Sequence, residues 1–298
     1  MDYISLLLSN QHYLLYLAVV MIASGYIRDL NVLVPVYNWI LQKVKSKRAI
    51  VAIISSITGV LPIPGRVIVS AGFLDTIATE DKKKREMFGI IDYLTTHHYY
   101  LWSPLEKSVI MPMAALGLSY ASFLYIMGPL LLTTFAVILF YIFYVLKEEH
   151  IEFRSNTISP ASTKIHSNPL KYVNWNALLL LAGVIIAGNF AREYTDVLIE
   201  VIRGNTASFW LVSGLSFFAS FVLGSSSRFA AIATVCILVF GVEYLPWFFA
   251  IDYAGYMMSP THKCLAIGKS YFNTPIKEYY KAIGVLVASI LIVAFVLL

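Results

Sequence analysis

The sequence predicts an all-α polytopic membrane protein of two inverted repeats, each with a re-entrant helical hairpin and a broken transmembrane helix. Three observations predict it. Of the 298 residues, 59% are hydrophobic and only 13% charged, where soluble domains carry roughly a quarter charged. Pro and Gly interrupt apolar stretches otherwise long enough to span a bilayer. Those interruptions recur at matching places in the two halves of the chain.

A helix needs about 20 apolar residues to cross the hydrocarbon core. Residues 4–26, 122–146, 174–190 and 278–298 each fit a single span. The first lacks the basic leader of a cleaved signal peptide and reads as a retained helix. Stretch 49–76, "AIVAIISSITGVLPIPGRVIVSAGFLDT", is different, because its break leaves about eleven apolar residues before it and about ten after. Neither arm can span alone. The flanks "KVKSKR" (43–48) and "KKKR" (82–85) are both basic, and Lys/Arg-rich loops stay on the cytoplasmic side. Both ends of the stretch therefore belong on one face, which makes it a hairpin with PIPG at its tip. Such a tip survives at membrane depth only if buried in protein or lining a wet cavity.

Stretch 207–240 repeats the plan, breaking at Gly224-Ser225-Ser226-Ser227 and resuming at Arg228, as Arg66 follows the first break. Its flanks carry no basic cluster, as expected on the opposite side. A broken helix follows each hairpin, at 86–120 and 244–275. There Ser103-Pro104-x-x-Lys107 aligns with Ser259-Pro260-x-x-Lys263, and the pair Asp92-Tyr93 upstream is echoed by Asp252-Tyr253. The first repeat covers 1–147, a polar cytoplasmic linker 148–173, and the second repeat 174–298. Three crossings per repeat invert the second relative to the first, the plan of secondary transporters with sites at broken helices.

The stretches "GVLPIPGR", "YLTTHHYYLWSP" and "YAGYMMSPTHKCLAIGKSYF" carry a family resemblance. The chain resembles an uncharacterised integral-membrane family (a domain of unknown function) of the ion transporter superfamily, related to gluconate permeases, citrate transporters and divalent-anion/sodium symporters. The resemblance implies two inverted repeats with re-entrant hairpins and unwound helices, and a homodimer. The chain is shorter than typical members. The symporters' Ser-Asn-Thr hairpin signature is replaced by "SSIT" (55–58) and "GSSS" (224–227).

The chemistry expected of the breaks follows from free backbone groups. A hairpin tip presents N–H groups at the positive end of its second arm, which attracts an anion. Arg66 and Arg228 stand there, and a guanidinium grips carboxylate or phosphate in bidentate fashion; snorkelling to an interface is the plainer role. Thr58, Gly59, Pro62, Pro64, Gly65, Arg66, Ser103, Pro104, Gly224, Ser225, Ser226, Ser227, Arg228, Ser259 and Pro260 are the substrate-binding candidates. Ser55, Ser56, Glu106, His262, Asp92 and Asp252 are the ion- or proton-coupling candidates, since an intramembrane carboxylate is costly and normally functional or paired. Back-bonding to helix carbonyls is the alternative for the serines. Glu106 and His262 fall at equivalent points of the two breaks and suit a proton-coupling couple. Adjacent His97 and His98 diverge on a helix and, with Tyr99, Tyr100 and Trp102, suit an interface belt.

The net charge of +5 sits in a few clusters that report topology rather than nucleic-acid binding. Two cysteines, Cys236 and Cys264, make no disulfide framework. The spacing from Gly59 to Gly65 fails the phosphate-binding loop pattern, and no metalloprotease or nucleophile-elbow motif occurs, so no enzyme and no cofactor is expected beyond Na+ or H+ as coupling ion. The expected function is secondary active transport of a small organic or inorganic anion across the cell membrane, among lipids and as a homodimer. The alternatives are a non-transporting subunit or assembly factor, and a lipid or lipid-phosphate flippase.

Overall fold

A computed structural model describes residues 8, 11–29, 33–60, 66–152, 168–176, 178–179, 181–183, 185–186, 206–224 and 231–298. Among these the chain is all-α, with one isolated antiparallel bridge between Ala78 and Ile151. The helices are α1 (Gln11–Asp29), α2 (Leu33–Lys43), α3 (Lys47–Val60), α4 (Arg66–Ile77), α5 (Lys82–Thr95), α6 (Lys107–Leu116) and α7 (Tyr120–Phe140). In the second half come α8 (Thr206–Leu223), α9 (Ala231–Phe240), α10 (Leu245–Met258), α11 (Lys263–Phe272) and α12 (Ile276–Val296). The tip residues Pro62, Pro64, Gly65, Ser225, Ser226, Ser227 and Arg228 lie outside the described residues, as does the side chain of Arg66.

Local chemistry explains where these helices stop and start. Asp81 caps α5, its carboxylate accepting the N–H groups of Lys83 at 3.0 Å and Lys84 at 3.3 Å. Ser119 caps α7 by accepting from Ser122 N at 3.1 Å. The second pieces of both broken helices end in left-handed residues, α6 at Gly117 (φ 67°) and α11 at Asn273 (φ 55°). Inside α7, Thr133 and Thr134 return hydroxyls to the carbonyls of Pro129 and Leu130, each at 2.8 Å. A π turn at Tyr141–Val145 then ends that helix.

The two hairpins open at opposite ends of the molecule. At the first mouth, Lys47 at the head of α3 donates to Ile151 O at 3.1 Å. The foot of α4 meets the same segment, with Thr79 N to His150 O at 3.0 Å and Glu152 N to Ile77 O at 2.8 Å. The start of α12 is tied to this end, since Thr274 donates to Glu86 O at 2.7 Å. At the second mouth, the Phe209 ring near the head of α8 lies 5.4 Å from Phe240 at the foot of α9 and 6.2 Å from Trp247 of α10. Phe295, at the far end of α12, closes on Trp247 at 6.2 Å. The 21 residues of α12 therefore run from one mouth to the other, about 30 Å at 1.5 Å per residue. That length matches a hydrocarbon core.

Helix α7 packs beside α12 and runs the other way, ending at the first mouth. These two, Tyr120–Val145 and Ile276–Val296, are the described helices long and apolar enough to cross a membrane. Helices α3 and α4 pack on each other and on α5, and α8 and α9 on each other and on α10. Across the halves, α4 touches α11 and α9 touches α6, while α7 touches α10 and α12 touches α5.

Candidate functional site

Both breaks carry a Ser-Pro step, but the helices before them end differently. Helix α10 stops at Met258, directly before Ser259-Pro260, because Pro has no N–H and disfavours helical geometry in the residue before it. Helix α5 already ends at Thr95, and a short 3-10 helix leads on to Ser103-Pro104. In the first break the Ser103 hydroxyl accepts from Leu105 N at 3.3 Å, and the Ser103 carbonyl accepts from Glu106 N at 3.0 Å. In the second, the Ser259 hydroxyl accepts from Thr261 N at 3.3 Å and its carbonyl from His262 N at 3.2 Å. Glu106 and His262 then stand just before α6 and α11. Ser103 and Ser259 are fully buried, whereas Pro104 is half-buried and Pro260 exposed.

The two breaks cross, and the tyrosines bind the crossing reciprocally. Tyr93 of α5 donates to Met257 O at the end of α10, at 2.8 Å. Tyr253 of α10 donates to His97 O, just beyond α5, at 3.4 Å. Tyr100 and Tyr256 share a hydroxyl–hydroxyl bond of 2.9 Å, and the Nε2 atoms of His97 and His262 face each other at 3.1 Å. All six side chains are buried. Each Asp-Tyr pair thus divides its work, the Tyr reaching to the opposite break and the Asp facing its own hairpin.

Asp252 accepts the Ser220 hydroxyl from α8 and Ala233 N of α9 at 3.4 Å. Asp92 faces the Ser70 hydroxyl of α4. Both carboxylates are 0% exposed, deep within the protein rather than near a surface. The hairpins also press on the breaks. A methyl group at Gly59 would overlap Thr95 O and crowd the His98 ring. At Gly224 (φ +52°) it would overlap the hydroxyls of Ser259 and Thr261. Only glycine lets these arm ends come so close.

Other expected site residues have more local roles. Ser55 returns its hydroxyl to Val51 O at 2.5 Å, and Thr58 to Ile54 O at 2.7 Å while meeting Tyr37 OH at 2.8 Å. This is the back-bonding alternative. Ser56 is half-buried on the same arm. The interface-belt reading of His97–Trp102 is corrected: His97, His98, Tyr99 and Tyr100 are all at most 1% exposed, because the chain turns inward there as a short 3-10 helix, His98–Leu101. The imidazole that meets His262 is that of His97. The residues missed as site members are Tyr93, His97, Tyr100, Tyr253, Tyr256 and Cys264. The repeated Asp-Tyr pair was the one signal that pointed to two of them. No family model, no curated protein and no solved structure matches the chain.

Proposed function

We propose that this chain is a polytopic membrane protein of the ion transporter superfamily and a secondary active transporter of a small organic or inorganic anion. Two buried helix breaks meet, one pressed by the arm end at Gly59 and the other by the arm end at Gly224, and the outer ends of the two hairpins' described arms lie at opposite ends of the molecule. That single arrangement carries the reading. Two contacts between the halves have exchanged counterparts, α4 with α11 against α9 with α6, and α7 with α10 against α12 with α5. Inverted repeats require such an exchange. Outward apolar side chains such as Leu132, at 71% exposed, suit lipid better than water.

In this reading the anion binds near the two Ser-Pro breaks, with Arg66 and Arg228 as the candidate guanidinium partners the sequence supplies. Asp92 and Asp252 take the coupling ion, sodium or a proton, since a buried carboxylate is stabilised by either. Alternating access moves each hairpin and its break against α7 and α12. The test is uptake of radiolabelled citrate, gluconate, sulfate and phosphate into proteoliposomes under an imposed proton or sodium gradient. The expected result is gradient-driven uptake of at least one anion, lost in Asp252→Asn. Absence of uptake of all four under both gradients would sink the proposal.

A further inference from the structure

We propose that His97, His262 and Cys264 form a zinc site that joins the two helix breaks. Their ligand atoms all lie within 4.8 Å of one another. His97 comes from the first break, and His262 and Cys264 from the second.

The hydrogen bonds around the two rings assign their tautomers. His97 Nδ1 lies 2.5 Å from Tyr93 O, a carbonyl that can only accept. The neighbouring Thr96 hydroxyl, 3.2 Å from the same nitrogen, gives its proton to Asp92 O at 2.5 Å. Nδ1 of His97 is therefore the protonated nitrogen. His262 Nδ1 faces Tyr256 O at 3.1 Å and Tyr93 OH at 3.1 Å. That hydroxyl sends its own proton to Met257 O at the shorter distance of 2.8 Å, so His262 also carries its proton on Nδ1. Both Nε2 atoms then present lone pairs to each other across 3.1 Å. Two acceptors at that separation repel unless a shared proton or a metal ion lies between them, and the nearby Cys264 thiol favours the metal.

Zinc fits the separation. With Zn–N bonds of about 2.0–2.1 Å, tetrahedral ligation sets two nitrogens about 3.3 Å apart. Histidines that bind zinc typically donate the other ring N–H to a backbone carbonyl or carboxylate, and here both have a carbonyl in that place. Cys264 supplies the soft ligand. Its S–H proton leaves as the Zn–S bond forms, so binding releases one proton. A Zn–S bond of about 2.3 Å requires the Cys264 thiol to move toward the two Nε2 atoms. Three protein ligands leave the fourth position for water or an anionic ligand. This site does not depend on the transport reading, because its readout, metal affinity and thiol protection, involves no transport.

The test uses the full chain in detergent, stripped of metal and titrated with Zn2+ against a chromophoric chelator. One zinc per chain is expected, with Co2+ giving a thiolate-to-cobalt charge-transfer band. Even the outer partners of zinc ligands are worth about 10–100-fold in affinity, so Cys264→Ser and His97→Gln should each weaken binding at least about 100-fold. Cys236→Ser should leave it unchanged. In the unaltered protein, Zn2+ should protect Cys264 from alkylation and leave the rate at Cys236 as it was, a measurement that needs no variant to fold. Sub-stoichiometric zinc, unchanged affinity in Cys264→Ser, or unprotected Cys264 would each overturn the site.

Discussion

Gly59→Ala and Gly72→Ala should change stability in opposite directions, although both replace a helical glycine in the first hairpin. At Gly72 an added methyl meets nothing within 4 Å, so the variant should keep only the helical advantage of Ala over Gly, about 0.5–1 kcal/mol. At Gly59 the same methyl overlaps the carbonyl oxygen of Thr95 and crowds the His98 ring. One of those obstacles is backbone, and relieving the overlap means pushing α3 away from the break that follows α5. Overpacking of this kind costs typically 1–3 kcal/mol, and a backbone obstacle belongs at the upper end. Subtracting the helical gain leaves Gly59→Ala destabilised by about 2 kcal/mol. The two variants then differ by about 3 kcal/mol, roughly a 150-fold difference in the unfolding constant. Thermal unfolding in detergent is the assay. At about 2–4 °C per kcal/mol for a chain of this size, Gly59→Ala should melt roughly 6–12 °C below Gly72→Ala. Equal melting temperatures would show that the first hairpin does not press on the break.

Three further outcomes are expected. Tyr93→Phe leaves Met257 O without its donor and should cost about 1–3 kcal/mol, whereas Tyr253→Phe loses a longer, weaker bond and should cost about 0.5–1 kcal/mol; chemical unfolding that reverses this order would contradict the hydrogen bonds described. Arg85 pairs with Asp75, donates to Tyr271 O at 3.4 Å and lies 5.7 Å over the Phe272 ring, so it ties α4 to the foot of α11. A double-mutant cycle of Arg85→Gln and Asp75→Asn should return a coupling of about 1 kcal/mol, and additive losses would remove the tie. His150, in the linker, is held below its ordinary pKa by desolvation, and its Nδ1 accepts Lys147 N at 3.3 Å. A lowered pKa means the unfolded chain binds more protons, so the contribution of His150 is present above about pH 6.5 and is lost as pH falls through that value. His150→Gln should flatten the fall in melting temperature between about pH 7 and 5, and an unchanged slope would show that His150 is not its source.

Punctuation residues were legible in part. Pro260 marks the end of α10 at Met258, and the arm that ends before Gly224 was placed as well, whereas α5 ends at Thr95, well before Pro104, and Pro112 and Pro129 sit inside helices. Hydropathy also set the long helices, with α12 (Ile276–Val296) falling within two residues of the expected span. Pairing across the crossing was not legible at all. His97 and His262 are 165 positions apart, and nothing local in "THHYY" tells a ring buried against another helix from one in an interface belt. Both environments favour the same amphipathic side chains. Asp92 and Asp252 were found because an acid inside an apolar helix stands out, whereas the tyrosines beside them are common in any membrane helix.

The account rests most heavily on the opposed mouths of the two hairpins. A single cysteine at Lys45, Lys83 or Glu243, each exposed, in a background of Cys236→Ala and Cys264→Ala, reports the sidedness of each mouth to a membrane-impermeant thiol reagent. In sealed vesicles of known orientation, Lys45→Cys and Lys83→Cys should label from the cytoplasmic side alone, and Glu243→Cys from the opposite side alone. Labelling of Lys45→Cys and Lys83→Cys from different sides would turn the first hairpin into a span. Labelling of all three from one side would remove the inversion, and with it the site built between the two breaks.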